Sequence, residues 1–302
     1  MNTSLNDSLT LHGKVYGEGE FLYKVNTQWC QFDAELAPVE NCHDMAMDSQ
    51  GRIYMVTDHP KNNILVINQD GTLVDAFCTQ FPGAHAIRIV EEQGVEYIYL
   101  VDSGWKINRN WDGVSTQSWD SPYNKVVAQN GCVAKLTLNG EVEFIIGHPQ
   151  TIGVYEAGMA FRPTDIVISE NGDLYVTDGY GSDFVIQYNA CGQYIRHWGG
   201  HQNIDNNYNL INTHGIEIII GEDNNPMLVV SSRAEMQYKC FSLTGKYIKK
   251  IDMSGAWVGR LTKAGDHFLV PICWSDIDGE NKAKSGFLSI LDKHFNVVAN
   301  IG

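Results

Sequence analysis

Three stretches of the chain carry nearly the same order of apolar and polar positions: NCHDMAMDSQGRIYMVTD (41–58), RPTDIVISENGDLYVTD (162–178) and NTHGIEIIIGEDNNPMLVVSS (212–232). Each holds a short alternating apolar run, a polar turn with Gly or Asn, a second apolar run, and an Asp or Ser at its edge. A period of two predicts strands. Behind each stretch come two more strand-length runs around a tight turn: NILVINQDGTLVDAF (63–77), DFVIQYNACGQYIRHWG (183–199) and QYKCFSLTGKYIKKI (237–251). The turns QDG, ACG and LTG mark hairpins, so each unit predicts four antiparallel strands, the signature of a propeller blade. Two further units fit the pattern, 85–104 with 131–147 and 258–274 with 286–302.

The pattern therefore predicts an all-β fold, a six-bladed β-propeller with five full blades. LTLHGKVYGEGEFLYKVNTQW (9–29) precedes the His43 unit as YIRHWGG precedes the His214 unit. Residues 1–30 are accordingly expected to supply the outer strands of a closing blade. Either its inner strands would follow Gly302, or the ring has five blades and an extra N-terminal ribbon. Unpaired strand edges invite association, so an oligomer formed through these N-terminal strands is a further expectation.

Composition suits one large β domain over residues 1–302: 29 Gly and 14 Tyr serve turns and strands, and 43% hydrophobic residues are enough for a sizeable core. No apolar run approaches a membrane span, and MNTSLNDSLT lacks the features of a secretory signal. The seven Cys are scattered without CxxC spacing. Reduced thiols in a soluble, cytoplasmic protein are the expectation. A formal net charge of −15 disfavours nucleic-acid partners.

Candidate chemistry follows from place in the repeat. His43, His85 and His214 stand at the entrance to innermost strands in CHDM, AHAI and THGI, and Thr164 and Asp165 hold the matching place in RPTDIV. Imidazoles converging on a channel suit zinc or another divalent metal. Tyr180 in TDGYGSD and Arg233 in SSRAEMQ occupy the turn between second and third strands, where a phenol suits proton transfer and a guanidinium suits a carboxylate. The long insertion 105–130 belongs to the same loop class. Its Trp105 and Trp111, with Trp119 and Tyr123, point to a surface for a small polar organic, sugar or peptide-like substrate; Thr164 and Asp165 are candidate substrate contacts as well.

The blades look like NHL repeats. RPTDIVISENGDLYVTDGYGSDFVIQYNACGQYIRHWG (162–199) and THGIEI…SSRAEMQYKCF (213–241) resemble two successive blades of the catalytic propeller of the peptidyl-hydroxyglycine alpha-amidating lyases. That resemblance implies a zinc-dependent lyase in which His214 and His85 are ligands, Tyr180 the catalytic base and Arg233 the substrate-binding arginine. CHDM at His43 matches that family's third-ligand motif in letters but not in ring position. TDGYGSD also lacks the Cys that follows the family's catalytic Tyr, which points to a relative acting on another substrate in a reducing compartment. The expected function is a metal-dependent, lyase-like cleavage of a C–N or C–O bond at the channel mouth. The alternatives are a non-catalytic NHL propeller that binds a protein or carbohydrate, and a calcium-dependent lactonase-like propeller.

Overall fold

The computed structural model describes residues 11–108, 110, 125–221, 223–253, 255–275 and 286–302. They fall into two compact units, one of residues up to Gln31 together with His214–Gly302, the other Phe32–Thr213. The chain opens with a hairpin, β1 (Val15–Glu18) and β2 (Phe21–Lys24). The second unit then supplies three blades. They are β3 (Cys42–Met47), β4 (Ile53–Thr57), β5 (Ile64–Ile67) and β6 (Leu73–Phe77); β7 (Ala84–Glu92) and β8 (Val95–Asp102), followed past a short ladder of β9 (Trp105–Ile107) and β10 (Val126–Ala128) by β11 (Cys132–Thr137) and β12 (Val142–Ile146); and β13 (Asp165–Ile168), β14 (Leu174–Thr177), β15 (Phe184–Tyr188) and β16 (Tyr194–Gly199).

The first unit holds the other two blades. One is β17 (Thr213–Ile220), whose first residue belongs to the other unit, with β18 (Pro226–Ser232), β19 (Gln237–Ser242) and β20 (Tyr247–Asp252). The other is β21 (Ala256–Val258) and β22 (Thr262–Ala264), both paired with β23 (His267–Ser275), then β24 (Phe287–Leu291) and β25 (Val297–Ile301). All pairings given are antiparallel and the strands run in chain order across every sheet, so five four-strand blades of a β-propeller are present, as the repeat predicts. The inner strand of the fifth blade is split at Gly259–Leu261 into β21 and β22.

The core lies between facing blades. In β8 alternate residues serve opposite neighbours: Ile98 and Leu100 join Val56, Ile64 and Phe81 against the first blade, while Tyr99 and Val101 join Phe161, Ile166 and Val176 against the third. A strand buried on both faces needs an unbroken apolar run, and YIYLV provides it. In the other unit Tyr238, Val258, Val270 and Leu291 form the equivalent layer.

One irregularity recurs in all five blades: the third and fourth strands shift register by one residue, at Val66/Ile67, Lys135/Leu136, Gln187/Tyr188, Cys240/Phe241 and Ile290/Leu291. Each shift adjoins a tight turn whose closing residue has positive φ, a place that four blades give to Gly71, Gly140, Gly192 and Gly245. The fifth gives it to Phe295 at φ 66°, and that ring is held flat on Phe268 with centroids 5.3 Å apart and by the Lys249 ammonium 5.1 Å away.

At the N-terminal end, β1 and β2 pair with each other alone and lie against β25. Phe21 sets its ring edge-on to His267 at 5.0 Å, and Leu11, Tyr16, Tyr23 and Val25 face Ile301 across a cleft of about 450 Å³. Residues 1–10 lie outside the described residues. No disulfide joins the seven cysteines, and no helix among the described residues is long and apolar enough to cross a membrane.

Candidate functional site

The three blades of the Phe32–Thr213 unit share one device at the entrance to the inner strand. Asp58, Asp102 and Asp178, each just past or at the end of a second strand, turn a buried carboxylate back onto the chain entering their own blade. Asp58 accepts from the Asn41 amide at 3.0 Å, Asp102 from Gly83 at 3.2 Å, and Asp178 from Arg162 at 2.6 Å. The residue two places further on is His43, His85 and Thr164 in turn.

At the two histidines the strand also bulges. Cys42 pairs with Thr57 and Asp44 with Val56, which leaves His43 extra; Ala84 pairs with Asp102 and Ala86 with Val101, which leaves His85 extra. A bulge re-aims the side chain that has no partner. The result brings the rings together, with His43 and His85 stacked at 4.8 Å and an interplanar angle of 27°.

His85 is buried and its two nitrogens have different partners. Nδ1 lies 2.7 Å from the Thr164 carbonyl oxygen, which can only accept, so Nδ1 carries the hydrogen. In the neutral ring Nε2 is then the acceptor. It faces the Tyr180 hydroxyl at 3.3 Å, with the two rings edge to face. Sequence reasoning named His85, Thr164 and Tyr180 separately, and the structure places them in one chain of contacts.

The loop that carries Tyr180 is tightly tied. Asp178 also accepts from Ser182 N at 2.9 Å and Tyr155 Oη at 2.8 Å, and Ser182 Oγ donates to the Ala160 carbonyl. The Tyr180 amide itself donates to the Arg162 carbonyl at 3.2 Å. At Gly179 and Gly181 there is no room for a side chain: a Cβ would fall 1.5 Å from the Thr213 carbonyl oxygen in one case and 2.2 Å from Asp178 Oδ1 in the other.

Burial pushes the Asp178 carboxyl up to about 7 from an ordinary 3.8, against the opposing pull of its donors. Asp58, which is also raised by burial, ends below its ordinary value because His43 and Asn41 bond to it. A carboxyl with a raised folded-state pKa keeps its proton over an interval in which the unfolded chain has lost it. The contribution of Asp178 to stability is therefore full below pH 3.8 and is lost as pH rises to about 7. Urea unfolding of the wild type and Asp178→Asn across this range should show the wild type losing ground to the variant as pH rises; parallel curves would contradict the assignment.

Thr164 and Asp165, expected as substrate contacts, are used internally. The Thr164 hydroxyl donates to Thr213 O at 2.7 Å and meets Thr177 Oγ1 at 3.0 Å, with the residue 1% exposed. Asp165 is paired with Arg88, Nη2 to Oδ2 at 3.7 Å, and its Oδ1 accepts from the Ile166 amide. Arg88 Nε donates to the Ile166 carbonyl at 2.8 Å, so this pair braces the second blade to the third. Arg88→Met leaves a buried carboxylate without its cation and is expected to destabilise the fold by about 3 kcal/mol, measured by urea unfolding.

The remaining candidates are placed as follows. Half-exposed His43 has Nε2 3.5 Å from Asp58 Oδ2. His214 and Arg233 belong to the other unit, which begins again at His214. There the Ser231 hydroxyl accepts from the His214 and Gly215 amides at 3.1 and 2.7 Å. Buried Arg233 opens the 3-10 turn Arg233–Glu235, whose Glu235 is bound by Ser232 and by Lys239 at 2.8 Å. Trp105 lies at the base of the insertion in β9, with the Arg162 guanidinium over its ring at 4.8 Å. Trp111, Trp119 and Tyr123 lie outside the described residues.

Of the three candidate zinc ligands, the structure brings His43 and His85 side by side, with ring centroids 4.8 Å apart. Among the described residues no group of three or more His, Cys, Asp or Glu side chains is gathered to hold an ion.

No protein-family model matches the chain, and no curated protein sequence matches it. Solved structures do. A streptogramin B lyase is 14% identical with a TM-score of 0.53, covering 87% of this chain and 69% of that one. A catalytically inactive histidine-to-alanine variant of virginiamycin B lyase from Staphylococcus aureus, with quinupristin, is 13% identical with a TM-score of 0.52, covering 85% and 69%. A chain of a nidogen/laminin complex is 13% identical with a TM-score of 0.56, covering 87% and 80%. The fold shared with these structures is the β-propeller, hosting lyases in two cases and a protein complex in the third.

Proposed function

We propose that this chain is a lyase-like propeller enzyme in which Tyr180 and His85 move a proton during cleavage of a C–N or C–O bond in a small polar substrate. The observation that carries the reading is the ordered contact from the Thr164 carbonyl through His85 to the Tyr180 hydroxyl. An imidazole fixed with its acceptor nitrogen on a phenol is arranged to take that proton.

In the elimination, the Tyr180 oxygen removes the proton next to the carbon that bears the leaving group, as its own proton passes to His85 Nε2. The electron pair of the broken C–H bond forms the new double bond. The leaving nitrogen or oxygen departs with the electrons of its former bond, and the proton held on His85 returns to it through Tyr180. Atoms and charge balance without an external reagent. Thr164 O stabilises the imidazolium that forms in between, since Nδ1–H donates more strongly from a charged ring. His214, Arg233 and a metal are assigned no step. Two lyases on the same fold support an enzyme of this class, and the fold alone does not distinguish it from a binding propeller.

The test is turnover of quinupristin and of a panel of simple β-hydroxy and β-amino carbonyl compounds, with new unsaturated product read by ultraviolet absorbance and mass spectrometry. Turnover by the wild type that disappears in His85→Ala supports the proposal. Turnover that survives in His85→Ala, or none across the panel, counts against it and favours the binding propeller.

A further inference from the structure

We infer that a second site, on the chain between the second and third blades, binds a small carboxylate through Arg162. This inference is independent of the reaction proposed for His85 and Tyr180. A cleft of about 510 Å³, within the range of small-molecule sites, is lined by Asn130, His148, Gln150, Met159 and Arg162 among others.

Three observations on Arg162 converge. Its Nε is buried and has no hydrogen-bond partner, and no described carboxylate pairs with its guanidinium. In a chain with 36 acidic residues and a formal net charge of −15, such partners are plentiful, and among the described residues Arg162 has taken none. The guanidinium is instead backed by the Trp105 face at 4.8 Å, which fixes the plane of the fork without using its donors.

The backbone of Arg162 is itself immobile, with its amide on Asp178 and its carbonyl under the Tyr180 amide. The cleft adds a second directed donor. His148 Nδ1 accepts from the Gln150 amide at 3.1 Å, so in the neutral ring Nε2 carries the hydrogen; Tyr155 and Phe161 stand edge-on to that ring, each at 5.9 Å. A planar, backed guanidinium offers two parallel donors to the two oxygens of a carboxylate, and the Asn130 and Gln150 amides suit hydroxyl or amide groups on the rest of the ligand. The occupant is accordingly a hydroxylated or amide-bearing carboxylic acid of small size.

Calorimetry with galacturonate and succinamate as probes, galactose and succinamide as their uncharged counterparts, and inorganic phosphate tests the inference. At least one carboxylate should bind and its uncharged counterpart should not. Arg162→Met should weaken that binding at least about tenfold and Arg162→Lys should weaken it less, because a lysine keeps the charge and loses the fork. The unliganded Arg162→Met protein should melt no lower than the wild type, as expected when a buried donor without a partner is removed. Carboxylate binding that persists in Arg162→Met, binding of phosphate alone, no binding of any probe, or a lowered melting temperature in unliganded Arg162→Met would each overturn it. Should Arg162→Met fail to fold, Arg162→Gln takes its place in the same comparison.

Discussion

Tyr180→Phe is expected to reduce kcat by about 10²–10⁴-fold, the usual loss when a positioned proton-transfer group is removed. The change deletes one oxygen and leaves the ring, its edge-to-face contact with His85 and the amide bond to Arg162 in place. Thermal unfolding should therefore match the wild type within a degree or two, which separates a lost proton path from a damaged fold. His85→Gln should give a loss of similar size, because an amide cannot take up the phenol proton. A full-rate Tyr180→Phe enzyme would remove Tyr180 from the reaction whatever its distance from His85.

The second large effect concerns the loop rather than the chemistry. In Gly179→Ala the new Cβ meets the Thr213 carbonyl oxygen at 1.5 Å and its carbon at 2.4 Å, both backbone atoms that no rotamer change can move. Backbone must shift on one side or the other, and Thr213 O is also where the Thr164 hydroxyl donates. A destabilisation of about 3 kcal/mol or more follows, a fall in melting temperature of roughly 5 °C or more for a chain of this size. Gly147→Ala is the control, since a Cβ there meets nothing within 4 Å, and it should be close to neutral. Equal melting temperatures for the two variants would mean that the 179–181 loop is not held as described.

Much of the fold was legible because a blade strand buried on both faces has little freedom in its residues. The ILVI of β5, buried at all four positions, and the YIYLV of β8 announce strands whatever surrounds them. The places of His43 and His85 were legible for a related reason: a repeat carries its own register, and both stand at the same point of it. Their bulges were not, since a bulged and a regular strand start read alike in letters. Thr164 and Asp165 show the opposite failure. A polar residue at a strand entrance looks the same whether it faces a ligand, a neighbouring carbonyl or an arginine on the next blade, and here Thr213 and Arg88 decided the matter.

Asp58, Asp102 and Asp178 were visible in the repeat and were given no role, although an Asp recurring at the end of the second strand was a signal for the carboxylate that pins the entry to its own blade's inner strand. Arg162 over Trp105 joins residues too far apart in the chain for any local pattern to reveal.

The most direct test of the central claim is the tautomer of His85 at neutral pH, read from long-range nitrogen–proton correlations in protein labelled with nitrogen-15 at histidine. The contact with the Thr164 carbonyl predicts hydrogen on Nδ1 and an acceptor Nε2, with that Nε2 signal shifting in Tyr180→Phe. Hydrogen on Nε2 in the neutral ring, or an Nε2 signal indifferent to Tyr180→Phe, would contradict the account.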